Sequence, residues 1–95
     1  MSVRIVLTVT AKSGKASALA SAYSARCRGV REEPGCEQFE VFQGIENPEK
    51  FVVMERWKDA AALEVHAKLN LANPSGLSEL CESRGREDYT YNRTR

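Results

Sequence analysis

Three residues stand out for the chemistry their types permit: Glu55, Trp57 and His66. Glu55 and Trp57 lie two apart in Phe51–Trp57 (FVVMERW), a run that reads as a β-strand. Both therefore project from one face, together with Phe51 and Val53. His66 falls two turns into a helix expected from Ala60 to about Leu69, so its ring can fold back toward the end of that strand. An indole offers a flat apolar surface on which a planar aromatic ligand can stack. An ordinary imidazole titrates near ~6.5, which suits it to take a proton from a phenol or enol near neutrality. A desolvated Glu55 would orient that imidazole or accept a substrate hydroxyl. Each residue also has a plain structural reading. A Trp at a strand end is commonly core, a helical His is commonly a satisfied structural residue, and Glu55 could pair with Arg56 or Lys58 of a second subunit.

Other candidates are weaker. Tyr23 sits in an Ala-rich helix and reads as a packing residue with its hydroxyl at the rim. Phe39, Phe42 and Phe51 read as core, with Phe39 and Phe51 as candidates to line a pocket. Cys36 follows Pro34-Gly35 but has no base near it in sequence. The cysteines, Cys27, Cys36 and Cys81, are odd in number and lack metal-type spacing, so each reads as a small buried hydrophobe in a reducing compartment. No metal site is expected. Arg84, Arg86, Arg93 and Arg95 form a basic scatter that reads as a solvated edge. The sequence contains no phosphate loop, nucleotide fingerprint, zinc spacing or serine-nucleophile elbow.

The elements that must position these groups follow from periodicity. Val3–Thr10 (VRIVLTVT) is β-branched and apolar on both faces, as for a strand covered on two sides. From Lys15 to about Glu33, Ala16, Leu19, Tyr23, Cys27 and Val30 recur in steps of three and four, an amphipathic helix that Pro34-Gly35 stops. Cys36–Gln43 alternates Glu37/Phe39/Val41 against Cys36/Gln38/Glu40/Phe42, a second strand. A turn through Asn47-Pro48 makes it a hairpin with Phe51–Trp57. Asp59 is placed to cap the second helix, in which Leu63, His66 and Ala67 share a face. Asn73-Pro74-Ser75-Gly76 breaks the chain, Gly76–Ser83 is expected as a short third helix, and Glu87–Thr94 as the last strand.

That order, βαββαβ, with right-handed crossovers gives a ferredoxin-like α+β fold: a four-stranded antiparallel sheet with both main helices on one face. A chain of 95 residues is expected to make a single domain spanning 1–95, burying ~60–65% of its unfolded surface. Strands one to three place apolar groups on both sides, so the helix-free side is expected to be covered by a second copy of the chain, a homodimer with higher assembly open. The net charge of +1 argues against nucleic acid, membrane surfaces and polyanions as partners. No run approaches the ~20 apolar residues of a membrane span. The start, too short in apolar residues for a signal peptide, points to a cytoplasmic location.

The segments Glu33-Pro34-Gly35-Cys36, Phe39-Glu40-Val41, Asn47-Pro48-Glu49-Lys50-Phe51-Val52-Val53-Met54-Glu55-Arg56-Trp57, and Ala61-Ala62-Leu63 with His66 together resemble the antibiotic biosynthesis monooxygenase (ABM) family over roughly residues 3–70. The resemblance implies a dimeric α+β barrel with a pocket between sheet and helices. It further implies cofactor-free oxygenation of a small aromatic phenol or quinol, the deprotonated substrate reacting with oxygen directly. Trp57 and His66 fall on the family's pocket Trp and helix His, and Glu55 on its strand Glu. The roles expected are His66 as base or hydrogen-bond donor, Trp57 as stacking wall and Glu55 as orienting carboxylate. Phe39, Phe51 and Tyr23 are the lesser substrate-binding candidates. Haem-degrading relatives use an Asn on the first strand, and Val3–Thr10 has none. A non-enzymatic small-ligand binder or dimerisation module on the same scaffold is one alternative, and a haem-binding or haem-degrading protein is the other. The RNA-recognition fold shares the element order, but KFVVMERW lacks its glycine and paired exposed aromatics.

Overall fold

In the computed structural model, which describes residues 2–73 and 76–91, four strands and two helices follow the expected order. They are β1 (Ser2–Ala11), α1 (Ala16–Val30), β2 (Cys36–Gln43), β3 (Lys50–Trp57), α2 (Ala60–Ala72) and β4 (Cys81–Tyr91), with a 3-10 turn at Leu77–Leu80 before β4. The strands form one antiparallel sheet in the order β2-β3-β1-β4. The fold is the ferredoxin-like α+β arrangement read from the sequence. No helix among the described residues is long and apolar enough to cross a membrane.

Register decides which residues meet the helices. β1 pairs with β3 so that Val3 faces Trp57, Ile5 faces Glu55, Leu7 faces Val53 and Val9 faces Phe51. Because side chains alternate along each strand, these pairs share one side of the sheet. Ile5, Val9, Val53 and Trp57 are fully buried there. α1 covers them with Leu19, Tyr23, Cys27 and Val30, the stripe its spacing demands. α2 differs: among its residues only His66 is buried, with Ala62 and Leu63 packed partly against the core. Asp59 caps α2 by accepting a hydrogen bond from the Ala62 amide at 2.9 Å.

On the opposite side, Val6, Val52 and Met54 are partly exposed, and Phe42 and Tyr89 about half exposed. They are interleaved with polar contacts such as Arg4 to Gln38 and Arg56 to Glu37. A β-bulge between Cys36 and Gln38 corrects the expected alternation of β2. Cys36 stands opposite Trp57, while Glu37 swings to the helix-free side, where Arg56 Nε lies 3.3 Å away and Ser2 Oγ donates at 3.1 Å.

β4 begins at Cys81 rather than Glu87, shortening the expected helix at Gly76–Ser83 to the 3-10 turn. Pairing with β1 supplies its backbone hydrogen bonds, so this edge strand needs no apolar alternation of its own. Arg84 and Arg86 are exposed on this edge strand, as expected, and stand opposite Val9 and Leu7 on the helix side of the sheet. The expected end of that strand at Thr94, together with Arg93, Arg95, Pro74 and Ser75, lies outside the described residues.

One glycine ties the helical layer to the sheet. Gly35 takes φ +81°, and a Cβ there would approach that of Ala62 to 2.5 Å. Its carbonyl accepts from the Lys58 amide at 2.9 Å. This close approach fixes the loop that carries Glu33 against the start of α2.

Candidate active site

Trp57 ends β3 with no exposed surface, so its indole N–H must find a partner inside the protein. It donates to Glu55 Oε1 at 3.0 Å, which draws a carboxylate into the core. Burial pushes the Glu55 carboxyl above the usual range, while the Trp57 N–H and the nearby His66 pull it partly back.

The imidazole of His66 lies on the indole of Trp57, with ring centroids 4.5 Å apart and planes 32° apart. Phe39 closes a second side at 6.3 Å. Both ring nitrogens are held. Nδ1 lies 2.6 Å from Glu33 Oε1, and Nε2 lies 3.1 Å from Asn70 Nδ2 and 4.0 Å from Glu55 Oε1. The Asn70 amide is oriented by Arg26, whose Nη2 donates to Asn70 Oδ1, leaving the Asn70 NH2 to face the imidazole. That network sets the tautomer: Nδ1 carries the proton and donates to Glu33, and Nε2 accepts from the Asn70 amide. An imidazole so backed by a carboxylate is arranged to accept a proton at Nε2.

His66 lines a cavity of about 730 Å³ between the sheet and the helices, a size suited to a small-molecule ligand. Ile5, Leu7, Phe39 and Leu63 give it apolar walls, and Glu55, His66, Asn70 and Tyr23 its polar groups. The Tyr23 hydroxyl is pushed up to about 12, by burial above all, so it stays protonated at neutral pH.

Of the residues singled out in the sequence, Glu55, His66, Tyr23 and Phe39 line this cavity, and Trp57 and Phe51 do not. Trp57 was expected as a stacking wall. It lies instead beneath the imidazole, fully buried, so a ligand in the cavity meets His66 rather than the indole. Phe51 packs on Tyr23 at 6.2 Å and is buried in the core. Glu33 and Asn70 were not singled out as site residues. Asn70 follows His66 by one helical turn and extends the Leu63–His66–Ala67 stripe, a signal the sequence does contain. Glu33 reaches His66 from a separate loop, and no spacing rule announces that contact. Arg26, Arg84 and Arg86 also line the cavity.

The family described as antibiotic biosynthesis monooxygenase matches residues 2–71 of the chain. No curated protein sequence matches it. Solved structures do. A Deinococcus radiodurans protein assigned provisionally to the antibiotic biosynthesis monooxygenases superposes with a TM-score of 0.87 at 21% identity, covering 97% of this chain and 94% of that one. PA3566 from Pseudomonas aeruginosa gives 0.82 at 26% identity, covering 97% and 95%. A mutant of SnoaB, a cofactor-independent oxygenase from Streptomyces nogalater, gives 0.83 at 17% identity, covering 98% and 95%.

The raised carboxyl of Glu55 has a definite consequence for stability. A group protonated more readily in the folded than in the unfolded state favours folding below its unfolded value of 4.5, and that contribution is lost as pH rises through the folded value. Glu55→Gln keeps an oxygen for the Trp57 N–H and removes the titration. Urea unfolding should therefore show Glu55→Gln gaining stability relative to wild type between pH 4 and pH 7. A relative loss over that interval would mean that the ionised carboxylate is the favoured form in the fold.

Proposed function

The chain belongs to the antibiotic biosynthesis monooxygenase family, and on that premise we propose that it oxidises a small aromatic phenol or quinol with molecular oxygen and no cofactor. The observation that supports this most is the unprotonated Nε2 of His66, on a residue that lines an aromatic-sized cavity and is backed through Nδ1 by Glu33.

In this reaction the substrate hydroxyl displaces the Asn70 amide from Nε2 and gives its proton there, and Glu33 stabilises the imidazolium that forms. The electron-rich anion passes one electron to oxygen, and the resulting pair joins at a ring carbon that bears hydrogen, forming a C–O bond. The peroxide takes a proton back from His66. Loss of the C–H proton then expels the distal oxygen as water and leaves a carbonyl. One oxygen atom ends in the product and the other in water, and the substrate itself supplies the electrons. Glu55, 4.0 Å from Nε2, orients the imidazole and the entering hydroxyl. Trp57 holds His66 from beneath and is a positioning residue. Phe39 lines the aromatic body of the substrate.

The active form is a homodimer in which the helix-free sheet faces stack. Phe42 and Tyr89, about half exposed on that face with Val6, Val52 and Met54 beside them, are the apolar area that a twin would cover.

Oxygen uptake with a panel of anthrones and hydroquinones tests the chemistry. A turned-over substrate should lose about 10²–10⁴-fold in kcat with His66→Ala, as for removal of a general base, and a smaller part with Trp57→Ala. An unchanged rate in His66→Ala removes the base assigned here. Sedimentation at micromolar concentration should give a dimer, and a well-folded monomer would contradict the stacked-sheet arrangement.

A further inference from the structure

The cavity has two chemically distinct ends. At the buried end stand Glu55 and His66, whose side chains are only 5% and 7% exposed. At the open end β4 presents Arg84 and Arg86, and Arg86 is 53% exposed. Both arginines sit on the helix side of the sheet by register, opposite Val9 and Leu7. Arg26 reaches the same space from α1. The chain as a whole carries a net charge of only +1, yet three guanidinium groups line this cavity against two carboxylates, the lining Glu55 and Asp88, which pairs with Arg86.

The three are not equally committed. Arg26 is engaged with Asn70, and Arg86 is held by Asp88 at 2.6 and 2.9 Å. Arg84 has no ion-pair partner among the described residues. Asp88 thus fixes the Arg86 fork, and Arg84 beside it is left to meet an incoming anion. Strand spacing of ~4.8 Å and a rise of ~3.4 Å per residue put the Cα atoms of Glu55 and Arg86 on the order of 12 Å apart. A span of that order suits a one- or two-ring aromatic body lying along Ile5, Leu7 and Leu63.

We propose that the open end of the cavity is an anion-binding subsite, built on Arg84 and Arg86, and that the ligand is a hydroxylated aromatic carboxylate with its acid at the arginines and its hydroxyl at His66. The proposal rests on the cavity being the oxygenase site and adds the class of substrate. Guanidinium groups pair with carboxylates through charge-assisted, often bidentate hydrogen bonds, which fix direction as well as affinity. A ligand anchored so would enter with its hydroxyl leading, toward Nε2.

Calorimetric titration with two probes tests it: a hydroxynaphthoate with its groups on opposite rings, and the naphthol that lacks the carboxylate. Wild-type protein should bind the hydroxynaphthoate at least about tenfold more tightly than the naphthol. That ratio should shrink as salt is raised and fall to about twofold in Arg84→Gln. A wild-type ratio near one, or a ratio kept in both Arg84→Gln and the double variant Arg84→Gln/Arg86→Gln, overturns the subsite. If the naphthol binds and the carboxylate adds nothing, the subsite falls while the oxygenase site stands. If neither probe binds, both fall together.

Discussion

A tryptophan buried without residual exposure, and paired through its N–H, underlies the rest of the site. Trp57 brings apolar area to the core, and its one polar atom must be satisfied there. Glu55, two residues back on the same face of β3, is the partner within reach. The pairing sets a carboxylate under the sheet's cover and makes the indole a floor for His66. His66 in turn is the residue by which α2 enters the core. A leucine at that position would bury as much apolar area and leave neither Glu33 nor Asn70 with its ring-nitrogen contact. The helix is thus docked by a group that also does chemistry, and exposed Val65, Leu69 and Leu71 show that it is not docked by apolar packing alone.

Local signals carried much of this architecture. The steps of three and four from Leu19 to Val30 describe the buried stripe of α1, and the alternation in FVVMERW describes β3, because each follows from the geometry of one element. The convergence of Glu55 and His66 was legible for a similar reason: a strand that runs into a helix through a short connection brings its end near the first turns of that helix. The role of Trp57 was not legible. Whether an aromatic ring lines a cavity or lies under it depends on the layer above, which the sequence of β3 does not describe. Glu33 reaches His66 across 33 positions, and contacts of that span have no periodicity to betray them. The start of β4 escaped because an edge strand draws its order from β1 and can read as polar throughout.

The distribution of charge shows the same limit. Counting residues gives a chain close to neutrality, and that balance argues against a large polyanion-binding field. Net charge alone says nothing about placement. Only the pairing of β4 with β1 turns Arg84 and Arg86 from a loose basic tail into part of a cavity wall, on the side where Arg26 also projects.

The state of the lone histidine decides the account most directly. With one histidine in the chain, a nitrogen-15 NMR spectrum of the imidazole is unambiguous. At a pH where the ring is neutral, Nδ1 should be protonated and Nε2 bare, held so by Glu33 on one side and the Asn70 amide on the other. A proton resident on Nε2 instead would mean that this nitrogen has no lone pair to offer, and the base at the centre of the proposed chemistry would be lost.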